Sequence, residues 1–507
     1  MGRLFIDDIP VSFTEGMTIL EAAVNAGIKI PSLCDMPGFR HNASCMVCVV
    51  KDMPSARFIP SCASLAVENM RIATFDTDID QARHEAVSML AAEHLGDCEA
   101  PCTRGCPAGF DIPQIIRLIA DGDTGAAAAM ILAATPIPET LGIICPAPCE
   151  RVCRRKHADA PLSIGLLHRF AGHAVNADTQ AAGIAAAKNK KILVIGSGPA
   201  GLSASFFLAR LGYSVTIQEK DAKAGGGLRN ALSAHGVSER CLDQEISRLV
   251  QSGVQIRAGE PFDFAHTAMS AQEHDAILVA FRIADDNFPD LDTHKNVFFA
   301  VHQDKPSKMA VRSGDAGKHA AMVIHTFLET GNPASPPARF DSHMHELDKK
   351  ELSFFMEQAS RENRVQPTLA QSGFSSEEAC REAARCLSCD CSKKSSCALR
   401  DAADNLCDWK HRYRLETKKR YSRIDSHEEV CYEPGKCIVC GRCIQITEAA
   451  RELTGLCFIG RGFQVTVAAP MDRPLSEALS KTAIRCVEVC PTGALSLKRK
   501  PKKEERK

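Results

Sequence analysis

The sequence is poor in aromatic residues and carries almost no net charge. Aromatic residues make up 5% of the chain, Trp409 is its single tryptophan, and the formal net charge is -1. No strong field therefore steers the whole molecule towards nucleic acid or an anionic membrane. Only the stretch from Lys498 to Lys507 is strongly basic. We expect no nucleic-acid partner, and small helical units built around cofactors rather than large aromatic cores.

Long apolar runs are also missing from the sequence. No stretch approaches the roughly 20 apolar residues that a helix needs to cross a bilayer. The chain opens at Met1 with an alternating strand pattern instead of the apolar segment of a signal peptide. We therefore expect no membrane span and a cytoplasmic location. In a reducing cytoplasm, grouped cysteines are more often metal ligands than disulfides.

Cysteine is the residue that the sequence has in excess. The chain has 24 cysteines in 507 residues, and most fall into groups at the spacing of metal ligands. A chain of this length exceeds what one hydrophobic core supports, so several domains are expected. The predicted domains cover residues 1–80, 81–180, 188–332, 333–425 and 426–500, followed by a basic tail at 501–507.

The first cysteine group follows a predicted strand, strand and helix. Residues 4–13 alternate around an acidic turn, and residues 18–26 form an alanine-rich helical pattern. The group has the spacing C-x10-C-x2-C-x13-C and consists of Cys34, Cys45, Cys48 and Cys62. This pattern resembles the beta-grasp 2Fe-2S domain at the start of the complex I large subunit and of related hydrogenases and formate dehydrogenases. The resemblance implies one 2Fe-2S cluster, with a zinc site as the alternative.

Two cysteine triplets flank an alanine-rich helical stretch at residues 113–134. The triplets are Cys98, Cys102 and Cys106, and Cys145, Cys149 and Cys153. With their flanking residues they resemble the helical double-cluster domain of the glutamate synthase small subunit and dihydropyrimidine dehydrogenase. That resemblance implies two interleaved 4Fe-4S clusters, one on Cys98, Cys102 and Cys153 and the other on Cys106, Cys145 and Cys149.

Each of these two clusters lacks a fourth cysteine. His94 precedes Cys98 at a spacing that is also seen for a histidine-ligated cluster in complex I, and His168 stands at the matching position for the other cluster. Imidazole in place of thiolate raises a cluster's potential. A surface or hydrogen-bonding role is the alternative for either histidine.

A dinucleotide fingerprint follows in the middle of the chain. A buried strand at 192–195 leads into a glycine-rich loop and a helix, and the next strand ends at Glu219. The glycines let the helix N-terminus approach a pyrophosphate, and the acid accepts a hydrogen bond from a ribose hydroxyl. The loop and the later glycines resemble the FAD-binding half of the same flavoproteins, which implies FAD; an empty Rossmann domain is the alternative. The predicted cofactor-binding residues are Gly196, Gly198, Pro199, Ala200, Gly201, Glu219, Lys220, Gly227 and Leu228.

Members of that flavoprotein family insert a second nucleotide domain for NAD(P)H. Here the strand at 276–280 is followed closely by the last FAD strand at 297–300. The residues between them are too few for a beta-alpha-beta core, so we expect no NAD(P)H domain. Val301 and His302 stand where the family has a Gly-Asp pair that touches the flavin, and Gly314-Asp315 lies too far along to replace it.

A fourth cysteine group follows a proline-rich linker at 331–337 and a helix start with a capping box at Ser375. It consists of Cys386, Cys389, Cys391 and Cys397, which could together hold one metal centre, either a 4Fe-4S cluster or zinc. Five single cysteines are predicted to be core or spare thiols, namely Cys241, Cys380, Cys407, Cys431 and Cys457.

The last cysteine group has two runs, one from Cys437 to Cys443 and one from Cys486 to Cys490, which is followed by Pro491. These runs resemble a bacterial two-cluster ferredoxin fold, as found beside the 2Fe-2S domain in complex I and formate dehydrogenase subunits. In that pattern, three cysteines of one run pair with the last cysteine of the other. The resemblance implies a 4Fe-4S cluster on Cys437, Cys440, Cys443 and Cys490. The second site of the pattern falls on Thr447, Ser480, Ala483 and Cys486, so we expect no second cluster.

The expected fold class is a multidomain α+β and α/β protein. It combines a beta-grasp 2Fe-2S domain, a helical double-cluster domain, a Rossmann-like FAD domain without an NAD(P)H insert, and a C-terminal ferredoxin-like domain. The expected cofactors are one 2Fe-2S cluster, three 4Fe-4S clusters with a fourth at Cys386–Cys397, and FAD.

No nucleophile or general-base pair stands out, so the cofactors carry the functional prediction. They predict an electron-transfer subunit of a larger oxidoreductase of the NADH, ferredoxin, formate or hydrogen type, with flavin-based bifurcation as one form. The expected partners are an NADH-oxidising flavoprotein and a catalytic chain of the formate dehydrogenase or hydrogenase type. The alternatives are a self-sufficient NAD(P)H-dependent reductase and a cluster-bearing scaffold with an empty Rossmann domain.

Overall fold

The computed structural model describes residues 1–175, 179, 185–262, 267–281, 295–300, 309–368, 373–406 and 420–499. Cys407, Trp409, residues 282–294, the 301–302 position and the basic tail at 501–507 lie outside this range. The chain forms two compact units, each made of separate stretches of sequence. Unit 1 consists of Met1–Glu99, Ala338–Glu357 and Asp390–Lys507, and unit 2 of Ala100–Pro337 and Gln358–Cys389.

The N-terminal part of unit 1 is a mixed five-stranded sheet with a short helix. Its elements are β1 (Gly2–Ile6), β2 (Ile9–Phe13), α1 (Ile19–Asn25), β3 (Val49–Asp52), β4 (Arg57–Pro60), β5 (Arg71–Ala73) and α2 (Thr77–Glu93). The strand order is β2-β1-β5-β3-β4, with β1 antiparallel to β2 and parallel to β5. The alternating pattern of the first strands buries Leu4, Ile6 and Val11. Helix α1 begins with a capping box between Thr18 and Glu21.

Unit 2 begins with a bundle of short helices. They are α3 (Pro101–Gly105), α4 (Ile112–Ala120), α5 (Thr124–Ala134), α6 (Pro138–Ile144), α7 (Pro148–Arg151) and α8 (Ile164–His173). The predicted helical stretch at 113–134 is two helices because the chain turns at Gly122, whose φ is +76°. Asp123 then starts α5 by accepting a hydrogen bond from the Ala126 N–H.

The second half of unit 2 is a five-stranded parallel sheet with helices. Its elements are β6 (Lys191–Ile195), α9 (Pro199–Arg210), β7 (Ser214–Glu219), α10 (Gly227–Ala234), α11 (Arg240–Gln251), β8 (Gln255–Ala258), α12 (Thr267–Glu273), β9 (Ala276–Val279), β10 (Val297–Phe299) and α13 (Ala310–Thr330). The order is β10-β9-β6-β7-β8. Strand β6 is central and almost wholly apolar, as expected for a parallel strand buried on both faces. Gly314 and Asp315 lie within α13, so they do not stand in the loop after β10.

The segment predicted as a separate region, 333–425, is divided between the units. It contains α14 (Lys349–Met356), α15 (Ser376–Ala383) and α16 (Ala398–Leu406). The predicted capping box is present: the Ser375 hydroxyl accepts from the Glu378 N–H, and the Glu378 carboxylate accepts from the Ser375 N–H. Helix α15 packs against α4 and α8 in unit 2, whereas α16 packs against α2 in unit 1. The segment is therefore split because its helices belong to two different cores.

The C-terminal part of unit 1 contains two small antiparallel ladders, β11 with β14 and β12 with β13. Helices from its two cysteine runs pack against each other. The elements are β11 (Val430–Tyr432), α17 (Arg442–Ala449), β12 (Cys457–Ile459), β13 (Thr466–Ala468), α18 (Leu475–Ala478), α19 (Ala483–Val489) and β14 (Leu495–Leu497).

Within the part of the chain that the structure describes, no helix by itself combines the length and hydropathy of a membrane span. Helices α5 and α6 reach those criteria only when taken together, and they are bent by 88° at the break between them.

Candidate functional site

The four thiols of the first cysteine group meet in unit 1. Each of these cysteines, Cys34, Cys45, Cys48 and Cys62, is at most 3% exposed. Hydrogen bonds from the Cys45 and Cys62 side chains lower the pKa of Cys34, and the same bonds raise the pKa values of their donors. A hydrogen bond from Cys62 also lowers the pKa of Cys48 to about 6. The sulfurs are thus in mutual contact, and the site could hold a 2Fe-2S cluster.

The four cysteines of the last group, Cys437, Cys440, Cys443 and Cys490, line one cavity in unit 1. Its other walls are mostly nonpolar, for example Val467 and Leu495. The fold therefore brings together the set predicted from the ferredoxin-like pattern.

The positions of the second ferredoxin-like site are used in other ways. The Thr447 hydroxyl donates to the Ile444 carbonyl at 2.8 Å, and the Ser480 hydroxyl donates to Glu452 at 2.7 Å. Cys486 is wholly buried, and its thiol donates to the Cys443 carbonyl at 3.7 Å. Cys486 is not among the described residues that line the cavity.

The variants Cys490→Ser and Cys486→Ser are expected to differ sharply. Cys490 lines the cavity, so Cys490→Ser should remove one 4Fe-4S signal from the EPR spectrum of the reduced chain, together with about four iron atoms. Cys486 has its own hydrogen bond to backbone, so Cys486→Ser should leave that signal intact. Equal loss of signal in both variants would contradict this assignment.

A second cavity lies in unit 2 and is lined by Cys106, Cys145, Cys149 and His168. The predicted set of three cysteines and one histidine is therefore brought together. The His168 ring lies 5.2 Å from the ring of Phe110, centroid to centroid, and its Nε2 is 3.0 Å from the Pro138 carbonyl oxygen. Burial lowers the pKa of His168 to about 4, so the ring is neutral. A neutral imidazole with one nitrogen held by a carbonyl is the form in which histidine ligates metals.

The remaining two cysteine groups are each divided between the units. His94 and Cys98 belong to unit 1, but Cys102 and Cys153, which were predicted to share a cluster with them, belong to unit 2. The predicted set on Cys98, Cys102 and Cys153 is therefore not found within one unit. The physical reason is that the chain leaves one core and enters the other between Glu99 and Ala100.

The group at 386–397 is divided in the same manner. Cys386 and Cys389 belong to unit 2, whereas Cys391 and Cys397 belong to unit 1. The single centre on these four cysteines therefore stays a prediction from their spacing. Within the described residues, no three His, Cys, Asp or Glu side chains meet at the spacing of a single metal ion.

The other cysteines behave as structural thiols where they are described. The Cys380 thiol donates to the Ile119 carbonyl at 3.2 Å, and Cys431 lies 3.1 Å from the Ser496 hydroxyl. Cys241 is 3.7 Å from the Thr140 hydroxyl. Cys457 is partly buried in β12.

The glycine-rich loop of unit 2 connects β6 to α9, and its backbone atoms pack closely against each other. Gly196 has a φ of +99°, and a Cβ on Gly201 would lie 1.9 Å from the Gly196 carbonyl oxygen. A Cβ on Gly226 would lie 3.3 Å from the Gly198 Cα, so the second glycine run touches the first. Gly227 and Leu228 open α10 directly after this contact, and Lys220 is exposed. The loop thus has the close backbone approach that a dinucleotide site requires.

The Glu219 carboxylate accepts hydrogen bonds from this loop. One carboxylate oxygen accepts the Ser197 N–H at 2.9 Å and the Ser197 hydroxyl at 2.5 Å, and the other accepts the Asp221 N–H at 3.0 Å. Burial opposes ionisation, but the hydrogen bonds from Asp221 and Ser197 lower the pKa of Glu219 below its usual value. The Ser197 hydroxyl in turn accepts the Gly225 N–H at 2.8 Å. This role of Ser197 was not predicted from the sequence. The only sign of it there is a hydroxyl residue between the first two glycines.

Four segments of the chain match models of known families. Residues 3–77 match a 2Fe-2S iron-sulfur cluster binding domain, and residues 71–180 match domain II of dihydropyrimidine dehydrogenase, described as 4Fe-4S cluster. Residues 194–241 match an NAD(P)-binding Rossmann-like domain, and residues 429–496 match the ferredoxin-like domain of NADH-quinone oxidoreductase subunit 3. The predicted 2Fe-2S, 4Fe-4S and Rossmann-like domain types are therefore confirmed.

Curated relatives are subunits of oxidoreductases. The NAD-dependent dihydropyrimidine dehydrogenase subunit PreT of Escherichia coli is 32% identical over 235 residues, which are 44% of this chain and 56% of the relative. The NADP(+)-dependent formate dehydrogenase subunit beta of Moorella thermoacetica is 34% identical, covering 36% of this chain and 29% of that protein. The NADPH-Fe(3+) oxidoreductase subunit beta of Geobacter sulfurreducens is 32% identical, covering 36% and 28%. The chain thus spans between about a quarter and a little over half of the length of these relatives.

Proposed function

We propose that this chain is an electron-transfer subunit of a multi-subunit oxidoreductase, with iron–sulfur clusters and one FAD as its redox groups. The observation that carries the proposal is the gathering of cysteine thiols around cavities with nonpolar walls, in unit 1 at Cys437–Cys490 and in unit 2 at Cys106–Cys149. Such clusters exchange single electrons, and a flavin converts between one-electron and two-electron transfers.

The electrostatics of these cavities support bound clusters. Burial raises the pKa of Cys440 to about 12 and the pKa of Cys149 still further, because a lone thiolate is poorly solvated there. Cationic iron would supply the missing compensation, so these thiols are suited to ligating metal and poorly suited to acting as free nucleophiles. The nonpolar walls also keep solvent away from the redox group, which helps to set its potential.

We assign the dinucleotide site to FAD. Its support is the resemblance of the loop and of the second glycine run to the FAD half of glutamate-synthase-like flavoproteins. Strands β9 and β10 are neighbours in one sheet, and the sequence between them is too short for a second nucleotide domain. We therefore propose that the pyridine nucleotide is oxidised or reduced on a partner chain.

A second candidate function is a self-sufficient NAD(P)H-dependent reductase. The observation in its favour is the match of residues 194–241 to a Rossmann-like model described as NAD(P)-binding. In this case, the single fingerprint of the chain would hold the nicotinamide cofactor itself.

The proposed assembly follows from the same features. We propose a beta-grasp fold for the N-terminal 2Fe-2S domain, on the basis of its mixed sheet and capped helix. We also propose a cytoplasmic location, because the grouped thiols must stay reduced until they bind iron. The partners would be an NADH-oxidising flavoprotein and a catalytic chain of the formate dehydrogenase or hydrogenase type.

The experiment that tests this function is a nucleotide analysis of the chain purified without oxygen. We expect about one FAD per chain on acid release, visible bleaching by dithionite, and no bleaching by NADH or NADPH alone. Bleaching by NAD(P)H alone would favour the self-sufficient reductase. A chain that holds no flavin but retains its iron would contradict the FAD assignment.

A further inference from the structure

The short loop at Cys386–Cys389 has the geometry of the ferredoxin-like loop at Cys437–Cys440. In the ferredoxin-like loop, the Val439 N–H donates to the Cys437 sulfur at 3.4 Å, and Val439 has a φ of +53°. In the other loop, the Ser388 N–H donates to the Cys386 sulfur at 3.4 Å, and Ser388 has a φ of +48°. Residues with a Cβ adopt this conformation only where the surroundings hold it. The Cys386–Cys389 loop is thus shaped as one half of a cluster site.

Arg385 joins this loop to the segment that begins at Cys153, within unit 2. Its guanidinium donates to the Asp159 carboxylate at 3.1 Å and to the Ala160 carbonyl at 2.9 Å. Arg155 donates back to the Arg385 carbonyl at 2.7 Å. These bonds fix the position of Cys386 relative to Cys153, although the two are far apart in sequence.

Cys102 completes this group. It packs against the same core as Cys153, and Cys386 borders that core. Cys389 lies in the same loop as Cys386, so unit 2 offers four thiols for one cluster, and no histidine is needed to reach four.

The other half of the 386–397 group finds its neighbours in unit 1. The Cys391 N–H donates to the Cys98 carbonyl at 3.2 Å, and Cys397 shares a buried core with Cys98. A Cβ on Gly493 would lie 2.4 Å from the Cys391 sulfur and 3.7 Å from the Lys436 Cδ. A Cβ on Gly96 would lie 2.8 Å from the Lys436 Cε and 3.3 Å from the His94 Nε2. The Lys436 side chain is thus near both Cys391 and His94.

His94 has an unused ligand atom at this place. The ring is partly buried, and its Nδ1 is a buried atom with no hydrogen-bond partner among the described residues. This buried imidazole nitrogen without a partner is a candidate for the fourth ligand that Cys98, Cys391 and Cys397 lack.

We propose that the cysteines at 386–397 serve two 4Fe-4S clusters instead of one metal centre. Cys102, Cys153, Cys386 and Cys389 hold one cluster in unit 2, and His94, Cys98, Cys391 and Cys397 hold the other in unit 1. This assignment deepens the proposed electron-transfer function and rests on it. Its test measures bound metal and not electron transfer. The cluster assignment and the proposed function can therefore be contradicted independently of each other.

The test is a comparison of single and double variants by iron analysis and EPR spectroscopy of the purified full chain. Cys389→Ala and Cys391→Ala should each lower the iron content by about four atoms and remove different signals. The double variant Cys389→Ala/Cys391→Ala should lose about eight. In contrast, Cys102→Ala/Cys389→Ala and Cys98→Ala/Cys391→Ala should each lose no more iron than their single variants.

The same series contains the results that would overturn the proposal. If Cys389→Ala/Cys391→Ala loses no more iron than either single variant, the four cysteines form one centre. If those variants lower zinc by about one atom and leave iron unchanged, the site is a zinc site. Cys457→Ala is the matched control and should keep all iron. A parallel series with serine preserves side-chain shape, so the comparison holds if an alanine variant does not fold.

His94 is tested by its own pair of variants. His94→Ala should remove the signal that Cys98→Ala removes, whereas His94→Cys should keep the iron and lower the midpoint potential of that signal, because thiolate replaces imidazole. Full retention of iron and an unchanged potential in His94→Ala would show that the histidine is not a ligand.

Discussion

Replacing Glu382 with leucine is expected to lower the free energy of unfolding of unit 2 by about 3–5 kcal/mol, the usual result of breaking a buried ion pair from one side. Glu382 and Arg385 are both wholly buried, and the Arg385 guanidinium donates to both Glu382 oxygens at 2.8 and 3.1 Å. The carboxylate also accepts the Ser163 and Val365 N–H groups, each at 2.8 Å. Leucine would leave a buried charge and two buried donors without this partner.

The measurement is denaturant unfolding followed by circular dichroism, with Glu362→Gln as the matched control. Glu362 pairs with Arg381 at 3.1 Å on the surface, where both side chains are about half exposed, so its loss should cost less than about 1 kcal/mol. The double variant Glu382→Leu/Arg385→Leu also removes the buried guanidinium, which in Glu382→Leu keeps only Asp159 as a carboxylate partner, and should recover part of the loss. A Glu382→Leu variant as stable as the control would contradict a structural role for the pair.

Local features of this chain could be predicted well from sequence, because they depend on neighbours along the chain. The capping box at Ser375 and the strand, glycine loop, helix and acid that end at Glu219 all follow from residues within about 20 positions of each other. The ferredoxin-like set was also predictable, since its pairing of two distant runs is a known feature of that pattern.

The partition of the cysteines between the units could not be predicted in the same way. Cys98 and Cys391 meet because two distant segments enter the same core, and no spacing rule connects them. Lys436 was missed for a related reason. Lysine is normally exposed, and this one is buried because Glu433 lies 2.6 Å from its ammonium group. Such burial depends on tertiary packing and leaves no periodic signal.

Substitutions at two glycines of the dinucleotide loop, Gly201 and Gly198, should distinguish a glycine that the fold requires from one that dinucleotide binding requires. Gly201→Ala is expected to lower the stability of unit 2 by about 3 kcal/mol, because its Cβ would lie 1.9 Å from the Gly196 carbonyl oxygen and 3.4 Å from the Ala280 Cβ. The closest obstacle is backbone, which cannot move aside like the end of a flexible side chain. Helix α9 would have to shift away from the end of β6, and bound dinucleotide would be lost together with stability.

Gly198→Ala should weaken dinucleotide binding and leave the stability of the chain almost unchanged. Its φ is -65°, which alanine adopts without strain, and a Cβ there meets no described atom within 4 Å. The methyl group would instead occupy the space through which a pyrophosphate approaches the N-terminus of α9. We expect the free energy of unfolding of the ligand-free chain to stay within about 0.5 kcal/mol of the parent. Dinucleotide binding should be weaker by roughly 100-fold, or about 2.7 kcal/mol. Full dinucleotide occupancy in Gly198→Ala would mean that the pyrophosphate does not lie on this loop, whereas unfolding would mean that the second glycine serves the fold and not the ligand.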